Sequence, residues 1–174
     1  MVLRKLHCIL RHCFLIGEYF LLSAIIRLTT RNKNLRRKRL VKNNSRFGKH
    51  FLRTFKIKLS IKNPQELQKW HNKAYLAVSN HTTYIDIILL AALENMVFIT
   101  SVEMKHNPFL GKITRDGGCL YTNRKKFASL PREIEYFASA IRDGFKVLLF
   151  PEATSTNGIT IQPFRKSLFQ LAIS

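Results

Sequence analysis

A chain of 174 residues has room for one ordinary domain, and its 46% hydrophobic content supplies a core that excludes global disorder. Thirty Lys and Arg against ten Asp and Glu leave a net charge of +20, which calls for a polyanionic partner: nucleic acid, an anionic membrane face or phosphorylated small molecules. The charge is concentrated, because residues 1–65 carry 17 basic side chains and one acid, Glu18, whereas residues 66–174 carry 13 basic and nine acidic.

The N-terminal segment, residues 1–30, is dominated by the run CFLIGEYFLLSAII from Cys13 to Ile26. Arg11 and His12 interrupt it on one side, so a clean span of about 20 apolar residues is not expected. The reading is a monotopic or shallowly inserted helix, with a transmembrane helix next and a buried core helix as the plain alternative. Cys8 and Cys13 read as small buried hydrophobes. With Cys119 they form no C-x-x-C pair, so no disulfide framework or thiolate metal site is expected.

From Arg27 to Lys58 come 13 basic residues and no acid, which marks residues 31–53 as a basic juxtamembrane segment. Each such cation near anionic headgroups contributes roughly 1 kcal/mol, and the asymmetry puts this side of the chain and its C-terminal domain in the cytoplasm. A nucleic-acid arm is the rival reading, weakened by the scarcity of interleaved aromatics.

Residues 54–174 read as an α/β domain with a mostly parallel sheet flanked by helices. Phe55, Ile57, Leu59 and Ile61 alternate with polar residues and predict a half-buried strand ended before Pro64. Ala74–Ser79 predicts a buried strand, Ile85–Leu93 a helix and Val97–Val102 a strand. Met104–Asp116 is mixed and broken by Pro108, and Gly117–Gly118 turns into a strand over Cys119–Thr122. Ile134, Phe137, Ala138 and Ile141 share one face of a helix stopped by Gly144. Lys146–Phe150 predicts another buried strand, and Phe164–Ile173 the start of a helix. Strands alternating with helices give the parallel arrangement.

Three strand ends carry the chemistry. SNHTTYID, Ser79 to Asp86, comes after a buried strand, the usual address of ligand sites in such folds. His81 and Asp86, five apart, meet if His81 is in the loop and Asp86 in the first helical turn, with Thr82 or Thr83 capping. Asp86 then fixes the imidazole tautomer and leaves the other nitrogen as a base; a structural histidine capping a turn is the alternative. No G-x-S-x-G elbow accompanies the pair, which suits activation of a substrate hydroxyl. GGCLYTNR, Gly117 to Arg124, places a guanidinium at a strand end, where it offers a fork for phosphate. FPEATSTNG, Phe150 to Gly158, is a loop rich in donors, with Glu152 as a substrate hydrogen-bond acceptor or the partner of a nearby Arg.

Together the three blocks resemble those of the glycerolipid acyltransferase family, which acylates lysophosphatidate and related lyso-lipids. NHTTYID matches N-H-x-x-x-x-D, Gly118 to Arg124 matches G-x-x-x-x-x-R, and FPEATS matches F-P-E-G-T, with Ala153 in place of glycine. The continuation STNG…PFRKSLF looks most like the bacterial branch that includes lyso-ornithine-lipid acyltransferases, where Ser155 stands in place of an arginine common elsewhere. The resemblance implies His81 and Asp86 as the catalytic pair, and Arg124, Glu152, Thr154, Asn80 and Gly118 as substrate-binding residues. It implies acyl-CoA or acyl carrier protein as donor, a lyso-lipid acceptor, and no metal or bound cofactor. It implies work at an anionic membrane surface, on the cytoplasmic face of a bacterial inner membrane, and no nucleic acid. The chain stops before the family's fourth, proline-containing block. An unpaired edge at the last strands and an incomplete acyl groove are therefore expected, and a truncated, inactive lipid-binding homologue is the alternative function.

Overall fold

The computed structural model describes residues 2–123, 129–152 and 154–164. In chain order these form α1 (Val2–Thr29), α2 (Lys33–Phe55), α3 (Pro64–Trp70), β1 (Tyr75–Val78), α4 (Tyr84–Leu93), β2 (Met96–Ser101), α5 (Val102–His106), α6 (Leu110–Asp116), β3 (Leu120–Thr122), α7 (Leu130–Arg142) and β4 (Lys146–Leu149). The helix expected over Phe164–Ile173 falls, beyond Phe164, outside the described residues.

The first two helices form an antiparallel pair. Leu15, Tyr19 and Ser23 of α1 are buried against α2, and Asn43 of α2 donates to the Tyr19 carbonyl at 3.1 Å and to Ser23 Oγ at 3.0 Å. The opposite stripe of α1, from Leu6 and Leu10 through Phe14 to Leu21, Ile25 and Leu28, is exposed. Leu6–Thr29 spans 24 residues and is long and apolar enough to cross a membrane by length and composition. Only 17% of its most apolar window is buried, which removes the core-helix alternative. Cys13 is exposed and Cys8 half-buried, so neither is the buried hydrophobe expected.

The basic segment is a helix, and it belongs to the domain rather than preceding it. Asn32 caps α2 through its side chain, which accepts from the Leu35 amide at 2.9 Å. The expected strand over Thr54–Ile61 is absent. Thr54 and Phe55 end α2, Lys56 closes it with a left-handed φ of 55°, and residues 57–63 have no regular structure. Phe55 keeps to a helical spacing instead: the rings of Phe47, Phe51 and Phe55 pack in series at a tilt, 4.6 Å between the last two centroids, with the His12 ring at 5.2 Å from Phe55. Alternation makes a strand only where a neighbour completes the ladder, and none lies beside these residues.

The sheet is parallel throughout, in the order β1-β4-β2-β3. Period-two alternation gives it two apolar faces. Val97, Ile99, Val147 and Leu149 meet Phe137 and Ile134 of α7 on one side, while Phe98, Leu148 and Phe150 meet Ala91 and Leu90 of α4 on the other. α7 ends at Gly144, whose φ of 87° suits only glycine. β1 is an edge strand and half-buried, not the buried strand expected. The last strand is not at an edge: β4 inserts between β1 and β2, which corrects the expected unpaired edge there. At the N-terminal end of the strands, buried Glu94 joins His71 Nδ1 at 2.6 Å and the Lys146 ammonium.

Gly48 fixes how closely α2 approaches α4. A Cβ there would stand 2.8 Å from the Ile88 carbonyl oxygen and 3.0 Å from the Ala92 nitrogen, both backbone atoms that cannot turn aside. Gly48→Ala gains up to about 1 kcal/mol in helix propensity, yet it should lower the melting temperature in thermal unfolding because the helices must separate. A higher melting temperature would show that the α2–α4 contact is loose.

Candidate active site

The site lies beyond the C-terminal ends of β1, β4 and β2. Pairing of β1 with β4 runs from Tyr75↔Lys146 to Val78↔Leu149 and continues one step further, as the Ser79 amide donates to the Leu149 carbonyl at 3.1 Å. The loops after the two strands therefore leave the sheet side by side.

Thr83 starts α4 with a capping box: its side chain accepts from the Ile85 amide at 3.1 Å, and Asp86 reaches back to the Thr83 amide at 2.9 Å. The same Asp86 oxygen, Oδ2, accepts from the Thr82 amide at 2.6 Å and lies 3.1 Å from His81 Nδ1. Burial on its own would raise the Asp86 carboxyl. The amides of Thr83 and Thr82, the His81 ring and the Thr82 hydroxyl outweigh it and hold the group below the ordinary carboxylate value. An ionised Asp86 keeps the proton on Nδ1, so Nε2 is the nitrogen available to a substrate.

His81 is fixed from three further directions. Its ring stacks on Phe150, centroids 4.2 Å apart and planes 20° from parallel. Its amide donates to Glu152 Oε1 at 3.0 Å, and its carbonyl accepts from the Thr156 amide at 2.9 Å. Glu152 is buried at 5% exposure, and its second oxygen accepts from the Gln162 amide at 2.8 Å. The carboxylate thus serves the backbone of two loops, and among the described residues it has no arginine partner.

A cleft of about 630 Å³ opens beside His81. Ile87, Phe98, Met104, Leu110 and Ile113 give it apolar walls, and Thr154 and Ser155 line it near the histidine. Cys119 also lines it, but burial above all pushes that thiol up to about 12, so it is not a thiolate nucleophile. Among the described residues no hydroxyl or thiol is hydrogen-bonded to the His81 ring, and no group of three or more His, Cys, Asp or Glu is gathered to hold a metal ion.

Of the residues singled out in the sequence, His81, Asp86, Glu152 and Thr154 come together here. Asn80 is exposed next to His81, its carbonyl accepting from the Ser79 hydroxyl at 2.9 Å. Gly118 faces elsewhere: its φ is 73°, and a Cβ would stand 3.3 Å from Val41 of α2, while Gly117 and Cys119 line the cleft. Arg124 and Ala153 lie outside the described residues. Sequence reasoning missed the Phe150 platform, the Glu152 clamp and the α6 wall. Phe150 could have been found from its place two residues before Glu152 at the strand end; nothing in the α6 sequence marks it as a wall.

The Acyltransferase family model matches residues 58–174. Among curated proteins, the chain is 36% identical over 96 residues to a lyso-ornithine lipid O-acyltransferase of Rhodobacter capsulatus, covering 53% of this chain and 33% of the relative. It is 30% identical over 126 residues to a 1-acyl-sn-glycerol-3-phosphate acyltransferase of Neisseria gonorrhoeae, covering 72% of this chain and 48% of the relative. The chain therefore spans a third to a half of the curated relatives it matches. Its fold is that of the crystal structure of a 1-acyl-sn-glycerophosphate acyltransferase from Thermotoga maritima, with a TM-score of 0.68 at 20% identity over 98% of this chain and 70% of that one.

A depressed carboxyl stabilises the site fully above the pKa of the unfolded group and loses that contribution as pH falls through the lower folded value. A carbon-13 NMR titration of Asp86 should thus show a midpoint below the ordinary Asp value of about 3.9, with Thr82 and Thr83 amide protection lost in the same step. A midpoint at or above that value would show that the amides do not hold the carboxylate. Glu152→Gln replaces one accepting oxygen by a donor, and an unsatisfied buried amide costs about 1–3 kcal/mol. Hydrogen exchange at His81 and Gln162 should accelerate together; unchanged exchange would mean that other contacts hold the two loops.

Proposed function

The chain belongs to the acyltransferase family, and from that premise we propose that it moves a fatty acyl group from a thioester donor, acyl-CoA or acyl carrier protein, to the free hydroxyl of a lyso-lipid at a membrane surface. The observation that carries the reading is the His81–Asp86 pair, 3.1 Å apart, at an apolar cleft with no nucleophile of its own among the described residues.

His81 Nε2 takes the proton of the acceptor hydroxyl as its oxygen attacks the thioester carbonyl. The tetrahedral intermediate collapses, the carbon–sulfur bond breaks, and the imidazolium returns its proton to the leaving thiolate. Asp86 stabilises the imidazolium and keeps the ring in the useful tautomer. General-base help of this kind contributes about 10²–10⁴-fold, so holding two amphiphiles in register supplies much of the remainder. The apolar walls suit an acyl chain, and Thr154 and Ser155 offer hydroxyls to the polar end of a substrate. Arg124 holds an anionic headgroup, a role resting on its match to the family block. The reaction consumes the two substrates and no further cofactor.

The uncovered stripe of α1 and the cations of α2 support work at the cytoplasmic face of an anionic membrane. Salt screens surface attraction beyond about 10 Å at 0.1 M, whereas apolar insertion is not screened. Binding of the full chain to anionic vesicles should therefore survive high salt, and release at high salt would show that the charge alone holds it.

His81→Ala should lower acyl transfer by several orders of magnitude with vesicle binding intact. Asp86→Asn should be comparably severe, because the imidazole loses both orientation and counter-charge. The assay is transfer of labelled acyl groups from acyl-CoA and from acyl carrier protein to lysophosphatidate and lyso-ornithine lipid. Near-normal turnover by His81→Ala sinks the mechanism, and binding without turnover by the unaltered chain favours a lipid-binding homologue instead.

A further inference from the structure

The corner between α5 and α6 presents a large aromatic side chain to solvent and holds it there. Phe109 is 82% exposed, among the most exposed large apolar side chains described. A floppy loop is not the cause. The Asn107 side chain accepts from the Phe109 amide at 3.0 Å and from the Leu110 amide at 2.9 Å, which locks the Asn107-Pro108-Phe109 turn. Gly111 lies so close that a Cβ there would be 2.4 Å from the Lys105 carbonyl oxygen. A single exposed apolar residue needs no explanation, but Phe109 is not alone. Ile113, one helical turn on, is 46% exposed and lines the cleft, and Tyr84, 65% exposed, lines it from α4.

The position of α6 says what covers this patch. Arg27 of α1 donates to Asp116 at 2.8 Å, and the Lys112 ammonium sits 4.6 Å over the Phe20 ring. Residues 112 and 116 thus run alongside 20 and 27 in the same sense. The N-terminus of α6, with Phe109 before it, points toward the N-terminal half of α1, where the uncovered apolar stripe continues through Phe14, Leu10 and Leu6. Lys105, Lys112 and Arg115 are exposed around the corner against one exposed acid, Glu103, whereas Asp116 is buried and already paired. An apolar tip within a cationic rim, continuous with an apolar helix face, fits an anionic bilayer.

We propose that Phe109 is a second membrane contact, inserting into an anionic bilayer beside α1 so that the cleft mouth between Tyr84 and Ile113 opens onto lipid. The proposal rests on the membrane association of α1 and α2 but not on turnover. In that position an acyl chain passes between bilayer and cleft along Ile113 without crossing water.

Trp70 is the chain's only tryptophan and lies against the first residue of β1, at the end of the strands away from the cleft. It is the internal control. The experiment places the full chain carrying Phe109→Trp and Trp70→Phe on phosphatidylcholine–phosphatidylglycerol vesicles with brominated acyl chains, beside the unaltered chain. The expected result is a blue shift and quenching of the new tryptophan at position 109 on vesicle addition, with Trp70 of the unaltered chain unquenched. The proposal is overturned by a position-109 tryptophan that stays in water on vesicle-bound protein. It is equally overturned by one already blue-shifted in a concentration-dependent way before vesicles are added, since a second copy then covers it, or by equal quenching of Trp70. Because the readout needs no chemistry, bound protein that is quenched but transfers no acyl group sinks only the acyl-transfer reading. Active protein with an unquenched tryptophan sinks only this one.

Discussion

The pairing of β1 with β4 is the constraint on which the site depends. Parallel strands end on the same side, so register between Val78 and Leu149 delivers the loops after them to one place, although His81 and Glu152 are 71 residues apart. The Glu152 carboxylate and the Thr156 amide then clamp the amide and carbonyl of His81, and Phe150 supplies the surface on which its ring rests. A histidine held by its backbone on both sides and by its ring on one face has little rotational freedom left. That is the condition for a proton transfer that requires hydrogen-bond distance. The price of the arrangement is non-local folding: among the described residues, β1 gains its one strand neighbour when residues 146–149 arrive.

Asp86 does two jobs with one carboxylate. It closes the first turn of α4 and orients His81, and Oδ2 alone meets four donors: the Thr82 and Thr83 amides, the Thr82 hydroxyl and the His81 ring. The two jobs are compatible because an ionised carboxylate only accepts, and every group aimed at it donates. Burial opposes the charge, but the amides are fixed by the fold, so the proposed proton transfer to His81 would need no reorganisation around Asp86. Asparagine keeps an oxygen for the cap and loses the counter-charge for the ring, which separates the structural job from the electrostatic one.

Much of this was legible where local pattern and tertiary demand agree. Phe137 and Ile134 mark the buried face of α7, Gly144 its end, and Val147, Leu148 and Leu149 a strand buried on both sides. The capping of α4 by Thr83 came from the need for His81 and Asp86 to meet. Two features were hidden for physical reasons. In α2 the charged residues outnumber the apolar ones, so the helical spacing of Val41, Ser45 and Gly48 is carried by small or weakly apolar residues, and Phe55 was assigned to an alternation that has no partner strand. The insertion of β4 between β1 and β2 is a choice of strand order, and nothing in residues 146–149 encodes which neighbours they take. Glu152 shows the same limit at the site. Its block announced a substrate contact, while the fold turns both of its oxygens onto backbone amides.

Asp116 links α1 to the cleft. It is almost fully buried, and an isolated carboxylate in that position is strongly disfavoured, so Arg27 and Lys112 must stay on it. Both cations are partly exposed, which limits what each pair adds to stability. Removing either one, however, leaves a buried charge short of a partner, and that penalty exceeds what the exposed pair contributed. The contact is therefore better understood as a device for geometry than as a source of stability. Lys112 and Asp116 belong to the same short helix that supplies Leu110 and Ile113 to the cleft wall. In the proposed membrane-bound state, any depth or tilt that a bilayer imposes on α1 would be transmitted to α6, so that the mouth of the cleft would keep its orientation to the lipid surface.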